Sequence, residues 1–415
     1  MVHDSMPGVD DHLNNNTVIG YIGFDPTSDS LHIGSLVQIM TLVHFQKSGH
    51  KPIALVGGAT GMVGDPSGKS AERNLLSEEA LAHNLRGVKG QLEKFLDFDC
   101  GPCSAEIVNN YDWFKSYNFL DFIRDVGKHI TVSYMMAKDS VQSRLETGLS
   151  FTEFSYQLVQ GYDFYWLYKN KGCTLQLGGS DQWGNIVTGT ELIRRKDGGG
   201  AWAITTPLIK KADGKKFGKT EEGNVWLDKN KTSPYKFYQY WINASDEDVE
   251  NYIRIFTLFN KEQILELENE HKAAPHLRIL QKAVAEDITQ RVHSEEDLAM
   301  AVRASNVLFG KSTREDLESL DEQTFQAVFE GVPQSQLSME EFRNTLNVTD
   351  LLSEATGGII FPSKGEARRT IKGGGVSINK QKLESPDEEV GFKLLNNKYL
   401  VIQKGKKSYF LIVVE

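Results

Sequence analysis

The sequence is poor in the features that mark exported and membrane proteins. It has three cysteines among 415 residues, too few for a disulfide framework. It also lacks any apolar run near the ~20 residues that a membrane-spanning helix needs. The first residues, MVHDSMPGVDDHLNNN, carry acids where a secretory signal carries basic residues, and they contain no apolar core segment. We therefore expect a cytoplasmic protein with no membrane span.

Two of the cysteines form the sequence Cys100-Gly-Pro-Cys103, which has the spacing of a thioredoxin-type redox motif. A redox pair of this kind should open a helix that lowers the thiol pKa. Here the flanking FLDFD and SAEIVNNYDW predict a loop that leads into a strand, so we interpret the motif as a turn on Gly101 and Pro102. Zinc is disfavoured because no second pair with ligand spacing is present.

No internal repeat or low-complexity tract is evident, and the length predicts two or three domains. Over residues 1–230, short apolar strands alternate with amphipathic helices, which predicts an α/β domain with a parallel sheet. The clearest strands are TVIGYIGF, KPIALVGG and GCTLQLGG. Residues 231–320 predict an α-helical domain, 321–347 a linker, and 348–415 a small α+β module. Ligands of parallel sheets bind at the carboxyl ends of the strands, so the loops near Asp25, Gly57 and Gly178 are the candidates for a site.

The charge is unevenly distributed along the chain. The net charge of -10 by itself argues against a nucleic-acid partner, yet residues 362–415 carry 11 Lys or Arg against 6 Asp or Glu. The remainder carries 35 basic against 50 acidic residues. A basic terminal module on an acidic body predicts contact with phosphates, although a solvated lysine-rich surface would give the same composition.

The loop GGATGMVGDPSGKSAER has glycines without a known phosphate-binding spacing. Gly64 and Gly68 enclose three residues where a P-loop needs four, and the pattern does not fit the dinucleotide fingerprint either. A glycine-rich loop carrying Asp65, Lys69 and Arg73 after a strand remains a candidate for phosphate contact, and a plain surface loop is the alternative.

Three further segments carry candidate functional residues. In SFTEFSYQLVQGYDF, Ser150 and Glu153 have capping-box spacing, and Tyr156, Gln160 and Asp163 fall on one helix face. That polar stripe is either a solvated face or the lining of a pocket. KKADGKKFGKT forms a lysine-rich loop broken by glycines, whose cations suit a phosphate. SDSLHIGSL places His32 and Gly34 where a strand gives way to a helix, and we expect the helix N-H groups there to face an anion.

These segments together resemble class I aminoacyl-tRNA synthetases of the bacterial tyrosyl type. YIGFDPTSDSLHIGSL is similar to the HIGH signature and KFGKT to the KMSKS loop; LVGGATGMVGDPSGKSAER, SFTEFSYQLVQGYDF and LQLGGSDQWGN narrow the likeness to the tyrosyl enzymes. The C-terminal module resembles an RNA-binding domain shared with a ribosomal protein. The resemblance covers nearly the whole chain and implies a Rossmann-like catalytic domain, a helical domain and an RNA-binding domain.

The resemblance implies a two-step reaction without a protein nucleophile. The tyrosine carboxylate attacks the α-phosphate of ATP, and the tyrosyl group then passes to the 3′ end of tRNA(Tyr). By motif position, Tyr21 and Asp163 would bind the phenol hydroxyl, while Tyr156, Gln160 and Asp65 would hold the ammonium group. Mg²⁺ would accompany ATP, bound mainly by phosphates, and a homodimer is implied with an interface near LDFIRDVGKHITVSYMM.

The same resemblance implies the residues that bind ATP and RNA. The residues along the nucleotide or its phosphates would be Asp25, Thr27, His32, Gly34, Ser35, Lys69, Arg73, Gly179, Asp181, Gln182, Lys216, Lys219 and Thr220. The RNA-binding residues would be Lys364, Arg368, Arg369, Lys372 and Lys406.

Two positions depart from the family pattern, and other functions stay open. Ser35 replaces the second histidine of HIGH, and Ile22 stands where some members have cysteine. The alternatives are a synthetase for tryptophan, a HIGH-type nucleotidyltransferase that makes a small activated metabolite, and a non-catalytic RNA-binding relative. The polar side chains of Tyr21 and Asp163 argue against an indole and so against tryptophan. The basic C-terminal module argues against a nucleotidyltransferase for a small metabolite. The retained motif residues argue against a non-catalytic relative.

Overall fold

The computed structural model describes residues 2–65, 77–142, 148–214, 217–220, 223–309, 313–330, 332–405 and 408–415. Four of the predicted site residues, Lys69, Arg73, Lys216 and Lys406, lie outside these ranges. The chain divides into two compact units: unit 1 is Met1–Asp228 with Ala244–Leu280, and unit 2 is Lys229–Asn243 with Gln281–Glu415. None of the helices in the described ranges combines the length and apolarity needed to cross a bilayer.

Within the described ranges, the strands are short and fall into three sheets. They are β1 (Asp4–Ser5), β2 (Ile19–Phe24), β3 (Lys51–Val56), β4 (Glu106–Asn109), β5 (Leu175–Gly179), β6 (Trp202–Thr206), β7 (Lys219–Thr220), β8 (Gly223–Asn224), β9 (Gln334–Leu337), β10 (Val376–Ile378), β11 (Gln381–Lys382), β12 (Tyr399–Lys404) and β13 (Ser408–Val414).

The helices range from single turns to six turns. They are α1 (Val9–Asn15), α2 (Ile33–Lys47), α3 (Thr60–Val63), α4 (Glu78–Leu92), α5 (Tyr111–Phe114), α6 (Phe119–Asp125), α7 (Val132–Met136), α8 (Asp139–Gln142), α9 (Phe151–Lys171), α10 (Trp183–Asp197), α11 (Pro234–Ile242), α12 (Asp246–Phe256), α13 (Lys261–Ala273), α14 (Ile279–Val292), α15 (Glu295–Phe309), α16 (Arg314–Glu318), α17 (Glu322–Val328), α18 (Met339–Asn344), α19 (Val348–Asp350) and α20 (Lys364–Lys372).

Unit 1 is built on a six-stranded sheet in the order β1-β6-β5-β2-β3-β4. All neighbours pair in parallel except β1, which runs antiparallel to β6. The central strands are apolar on both faces because helices cover both sides, and every residue of β5 is buried. The predicted α/β class with a parallel sheet is confirmed, as are the three strands identified from the sequence.

Helices α12 and α13 belong to unit 1 although the sequence assigns them to the helical domain. Helix α12 lies against α2, where His44 Nε2 is 3.2 Å from the carbonyl oxygen of Ile255. Its apolar face, with Val249, Tyr252 and Phe256, is buried. The sequence pattern identifies the amphipathic helix correctly, but amphipathicity cannot tell which neighbour the helix packs on.

Unit 2 contains a five-stranded sheet in the order β11-β10-β12-β13-β9, covered by apolar side chains on both faces. One core combines the sheet with α19 and α20, and it includes Leu351 and Ile371. The second core joins Tyr399 and Val413 of the sheet to Phe325 of α17. The helical part and the C-terminal sheet of unit 2 therefore share a core.

The C-terminal sheet begins before residue 348. Strand β9 lies in the predicted linker and pairs in parallel with β13, with Leu337 opposite Val414. Leu337 is buried in the sheet's core, which explains why these residues are ordered as a strand. The four-residue alternation QSQL is too short to be distinguished from a loop in the sequence alone.

The Cys100 to Cys103 segment is the predicted turn. A 3₁₀ turn covers Gly101–Cys103, with Gly101 at φ 75, and β4 follows three residues later. All three cysteines of the chain are free thiols, and Cys173 is buried.

Candidate active site

A cavity of about 310 Å³ opens in unit 1 at the carboxyl ends of β2 and β5. It brings together twelve residues that the sequence predicts for a site: Tyr21, Asp25, His32, Gly34, Ser35, Asp65, Tyr156, Gln160, Asp163, Gly179, Asp181 and Gln182. These residues come from segments far apart in sequence, and the sheet order places them side by side. The lining does not include Thr27, Lys219 or Thr220 among the described residues.

The polar stripe on α9 faces this cavity. Ser150 caps the helix by accepting a hydrogen bond from the Glu153 amide at 3.2 Å, which fixes where the helix begins. Tyr156, Gln160 and Asp163 then line the cavity together. The interpretation of this stripe as a pocket lining is confirmed.

One end of the cavity holds Tyr21 and Asp163, which are 1% and 2% exposed. Within the described part of the chain, the Tyr21 hydroxyl has no hydrogen-bond partner. Burial, with the Asp163 carboxylate nearby, raises the pKa of Tyr21 well above its usual value. A buried hydroxyl without a partner is unfavourable, so this end of the pocket is suited to a ligand that carries a hydroxyl group.

Asp163 is held by two donors that the sequence analysis does not identify. Asn110 Nδ2 donates to one carboxylate oxygen at 3.0 Å, and Trp113 Nε1 donates to the other at 2.9 Å. Burial raises the pKa of Asp163 to about 8, although these two hydrogen bonds act in the opposite direction. The only sequence signal for them is their place in NNYDW just after β4, at the edge where the other site residues gather.

Asn110 also connects the two ends of the pocket. Its Nδ2 lies 3.1 Å from Thr60 Oγ1, and Thr60 in turn donates to Asp25 Oδ1 at 2.7 Å. The other oxygen of Asp25 accepts from the Tyr156 hydroxyl at 2.9 Å. This chain of hydrogen bonds orients the buried polar groups before any ligand arrives.

Carboxylates dominate the middle of the cavity. Asp65 accepts from Gln182 Nε2 at 2.7 Å and from Asn185 Nδ2 at 3.4 Å. Burial, and then the nearby Asp65 carboxylate, raises the pKa of Asp181. With Asp25 and Asp163, the lining carries four carboxyl groups, and within the described residues it contains no lysine or arginine. Such a lining favours a cationic or donor-rich ligand.

Three glutamine oxygens in the lining add to this acceptor character. Gln38, Gln160 and Gln176 each have a buried Oε1 for which the described residues supply no donor. The sequence pattern does not predict Gln38 and Gln176 as pocket residues, because the direction of a single glutamine inside an apolar helix or strand cannot be read from it. Gln176 lies beside Tyr21 in the register of β5 and β2.

His32 caps α2 in a way that corrects one sequence expectation. Its Nδ1 accepts a hydrogen bond from the Gly34 amide at 3.0 Å, and the Ile33 amide donates to the carbonyl oxygen of Val225 at 2.9 Å. The first amides of this helix are therefore satisfied within the protein, and the expectation that they face an anion is wrong. A neutral ring whose Nδ1 accepts carries its proton on Nε2, so the imidazole keeps a donor.

The lysine-rich segment lies against the N-terminus of α2. Lys219 and Thr220 form β7, which pairs with β8. Val225 donates to the carbonyl oxygen of Gly218 at 3.1 Å, and Leu227 donates to that of Leu31 at 2.9 Å. The two motifs that are distant in sequence are thus neighbours in space. Thr27 is exposed, and its amide donates to the carbonyl oxygen of Asp25 at 2.9 Å.

Four of the five predicted RNA-binding cations, Lys364, Arg368, Arg369 and Lys372, lie on α20 in unit 2. Ala367 and Ile371 bury one face of this helix, and Arg368, Arg369 and Lys372 are exposed on the rest. The ammonium group of Lys364 pairs with Asp350 at 2.7 Å and Glu354 at 2.9 Å, and the guanidinium of Arg368 lies 3.8 Å from Asp387.

Comparison with known proteins places the chain in a family. Residues 13–310 match the family described as tRNA synthetases class I (W and Y), and residues 324–412 match the tyrosine–tRNA ligase SYY-like C-terminal domain. The tyrosine–tRNA ligase of Cytophaga hutchinsonii is 62% identical over 412 residues, which cover 99% of this chain and 96% of that protein. The tyrosine–tRNA ligase of Porphyromonas gingivalis is also 62% identical, over 100% of this chain and 97% of that protein.

A solved structure agrees with these relatives. The crystal structure of a C-terminally truncated mitochondrial tyrosyl-tRNA synthetase from Aspergillus nidulans is 28% identical, with a TM-score of 0.68 over 74% of this chain and 91% of that one. The chain therefore belongs to the tyrosine–tRNA ligase family, within the class I tRNA synthetases of the tryptophan and tyrosine group.

Proposed function

We propose that this protein activates L-tyrosine with ATP and then transfers the tyrosyl group to the 3′ end of tRNA(Tyr). In the first step a tyrosine carboxylate oxygen bonds to the α-phosphorus, and the bond to the β-phosphate oxygen breaks to release pyrophosphate. In the second step a ribose hydroxyl oxygen of the tRNA bonds to the tyrosyl carbonyl carbon, and the bond to the phosphate oxygen breaks to release AMP. No protein side chain is alkylated or acylated, so catalysis rests on positioning and on donors that meet developing charge.

The unpartnered Tyr21 hydroxyl beside Asp163 is the observation that carries the choice of amino acid. We assign both groups to the phenol hydroxyl, which can accept from Tyr21 and donate to Asp163. Tyrosine would then enter phenol-first, with its ammonium group among Tyr156, Gln160 and Asp65. An indole offers one N-H donor and no acceptor, so tryptophan would leave the Tyr21 hydroxyl unsatisfied.

The nucleotide is assigned to the other side of the cavity. Gly179, Asp181 and Gln182 would lie along the adenylate, with Asp181 toward the ribose, next to Asp25, Gly34 and Ser35. His32 would donate from Nε2 to the departing phosphates, together with Thr27, Lys219 and Thr220. We assign Lys69, Arg73 and Lys216 to the pyrophosphate as well. Mg²⁺ would arrive with ATP as part of the substrate, held chiefly by phosphate oxygens.

The test of this function is the amino-acid dependence of exchange between pyrophosphate and ATP. We expect the purified protein to catalyse exchange with L-tyrosine, because the pocket satisfies a phenol hydroxyl and an ammonium group together. Phenylalanine and tryptophan serve as matched substrates, because both have the ammonium group and lack the phenol hydroxyl. Exchange supported by tryptophan, or by none of the three, would overturn the assignment.

Tyrosine binding should depend on pH through Asp163. Burial raises the pKa of this carboxyl to about 8, so it is mostly protonated at pH 6 and half ionised near pH 8. If the ionised form binds the phenol more tightly, the dissociation constant for tyrosine falls by up to about tenfold for each pH unit between 6 and 8. Calorimetric titration at pH 6, 7 and 8 measures this slope. Asp163→Asn should remove it, and equal affinities of the wild type at pH 6 and 8 would contradict the prediction.

We assign tRNA contact in unit 2 to the exposed face of α20. Arg368, Arg369 and Lys372 are the principal candidates, and we assign Lys364 and Lys406 to RNA binding as well. Fixed cations on a helix suit the phosphate backbone of RNA, whose binding is mainly electrostatic. In this scheme residues 1–230 carry the chemistry, 231–320 form the helical region, of which α12 and α13 pack with unit 1, and the RNA-binding domain of residues 348–415 is completed by β9 from the 321–347 connection. We place the protein in the cytoplasm, a reducing compartment that fits its free thiols.

We also propose a homodimer that buries the apolar surface of α6 and α7. Phe119, Leu120 and Val132 are 63%, 75% and 66% exposed, which is costly for large apolar side chains that stay in water. Leu120→Glu should shift the protein from dimer to monomer in sedimentation velocity, since a charge at a two-fold interface is buried twice. Leu277→Glu, at a half-exposed leucine elsewhere in unit 1, is the matched control. A monomeric wild type, or a dimeric Leu120→Glu variant, would refute this interface.

A further inference from the structure

The lysine-rich segment is attached to α12 at two points. The amide of Ala212 donates to Asp248 Oδ1 at 2.9 Å. Further along, the ring of Phe217 stacks on Phe256, with centroids 5.4 Å apart and planes 13° apart. The same ring meets Tyr252 at 5.3 Å and 60°, an edge-on contact. Phe217 therefore sits in an aromatic seat, which we define as Tyr252 and Phe256.

The aromatic seat is a rigid part of unit 1. Tyr252 is 2% exposed and Phe256 is completely buried. The rings of the seat also contact each other at 5.8 Å. Helix α12 is tied to α2 through His44 and Ile255, and α2 is the helix that His32 caps. The seat and the imidazole at the pocket are thus carried by two helices that are fixed to each other.

The opposite side of the segment touches the wall of the pocket. Gly218 follows Phe217 directly, and a Cβ atom added to Gly218 would lie 3.0 Å from the Gly34 amide nitrogen. Gly34 lines the pocket, and Lys219 is the next residue along the segment. The backbone at Gly218 is consequently clamped between the aromatic seat and the end of α2.

We propose that Phe217 is a positioning residue for tyrosine activation. Its contact with the aromatic seat holds Gly218 against Gly34 and so sets the place from which Lys219 meets the phosphates of ATP. Phe217 does not occur among the described residues that line the cavity, so it acts through the backbone that follows it. Stacking of two aromatic rings is favourable, which stabilises Phe217 against the aromatic seat. This inference rests on the proposed function and adds how the lysine of that site is placed.

The test compares activation with tyrosine binding in the full-length protein. Phe217→Ala should lower the rate of tyrosyl-adenylate formation at saturating tyrosine and ATP by about 10- to 100-fold, because a displacement near 1 Å at a reacting centre can cost that much. The dissociation constant for tyrosine should stay within about twofold, since Asp163 and Tyr21 are untouched. Phe217→Tyr keeps the ring and should restore most of the rate. Phe98→Ala, at a phenylalanine that is 38% exposed elsewhere in unit 1, is the matched control and should leave the rate unchanged.

Each outcome separates this inference from the proposed function. A wild type without tyrosine-dependent exchange overturns the proposed function whatever the variants do. A wild type that exchanges, with Phe217→Ala within twofold of its rate, overturns the positioning role alone. Equal losses of tyrosine affinity and activation rate would indicate a general structural effect and also overturn it. If Phe217→Ala does not fold by circular dichroism, Phe217→Leu provides the measurement, with a rate expected between those of Phe217→Ala and the wild type.

Discussion

Asp163→Ala should lower kcat/KM for tyrosine in the exchange reaction by about 10²- to 10³-fold. The substitution removes the acceptor proposed for the phenol and also leaves the buried donors of Asn110 and Trp113 without their acceptor. Losing the acceptor for the phenol and leaving buried donors unsatisfied costs about 3 to 4 kcal/mol together, which converts to this range. The measurement is initial exchange rates at varied tyrosine concentration. Asp99→Ala, at an exposed carboxylate in the same unit, is the control.

Tyr21→Phe distinguishes a binding role from a structural one at the same end of the pocket. Because the described residues give the Tyr21 hydroxyl no partner, its removal should not lower the free energy of unfolding. Tyrosine affinity should still fall, since the phenol loses one hydrogen bond. A Tyr21→Phe variant that is less stable but binds tyrosine normally would contradict the assignment of both Tyr21 and the pocket end.

Phe325→Ala should destabilise unit 2 by about 3 to 5 kcal/mol, the usual cost of deleting a buried phenylalanine. Phe325 is completely buried and stacks on Tyr399 with centroids 4.7 Å apart, so the cavity would lie in the core that joins α17 to the C-terminal sheet. Hydrogen exchange of α15 and α17 should accelerate by about 100- to 4000-fold if it proceeds by opening of this core.

The matched control for this core is Leu346→Ala, at a leucine of unit 2 that is 79% exposed, and it should leave exchange unchanged. Protection of α15 and α17 that survives Phe325→Ala would show that the helices are stable without the sheet. The same core predicts that a chain ending at residue 347 exposes Phe325 and its neighbours. Such a truncation would unfold part of the helical region as well as remove the RNA-binding surface.

The sequence predicts the residues whose geometry is set locally. The stripe of Tyr156, Gln160 and Asp163 follows from helical periodicity and from the cap at Ser150, so its existence was predictable, while the pattern left open whether it faces solvent or a pocket. The two strands that carry Tyr21 and Gly179, β2 and β5, follow from continuous apolar runs. In each case a short-range pattern decides the structure, and the parallel sheet then brings the pieces to one edge.

The residues that were missed depend on long-range contacts. Asn110 and Trp113 can donate to Asp163 because β4 pairs with β3, which places them next to that carboxyl group. The local sequence NNYDW does not predict this pairing. The capping of Gly34 by His32 likewise depends on side-chain conformation at a helix N-terminus. Strand β9 forms because it can pair in parallel with the edge of β13. Propensity alone could not have predicted these three features, since tertiary partners decide them.

The approach of Gly218 to Gly34 restricts how the two motifs can vary during evolution. A side chain at position 218 would meet main-chain atoms, and its φ of +80 disfavours any residue but glycine. No shortening of a neighbouring side chain can relieve a clash with backbone, so a change there would require the start of α2, and His32 with it, to shift. The segment with His32 and Gly34 and the segment with Gly218 are distant in the chain, but they should change together during evolution. In related sequences with serine at this position, as in the KMSKS signature, the segment should therefore lie farther from the start of α2.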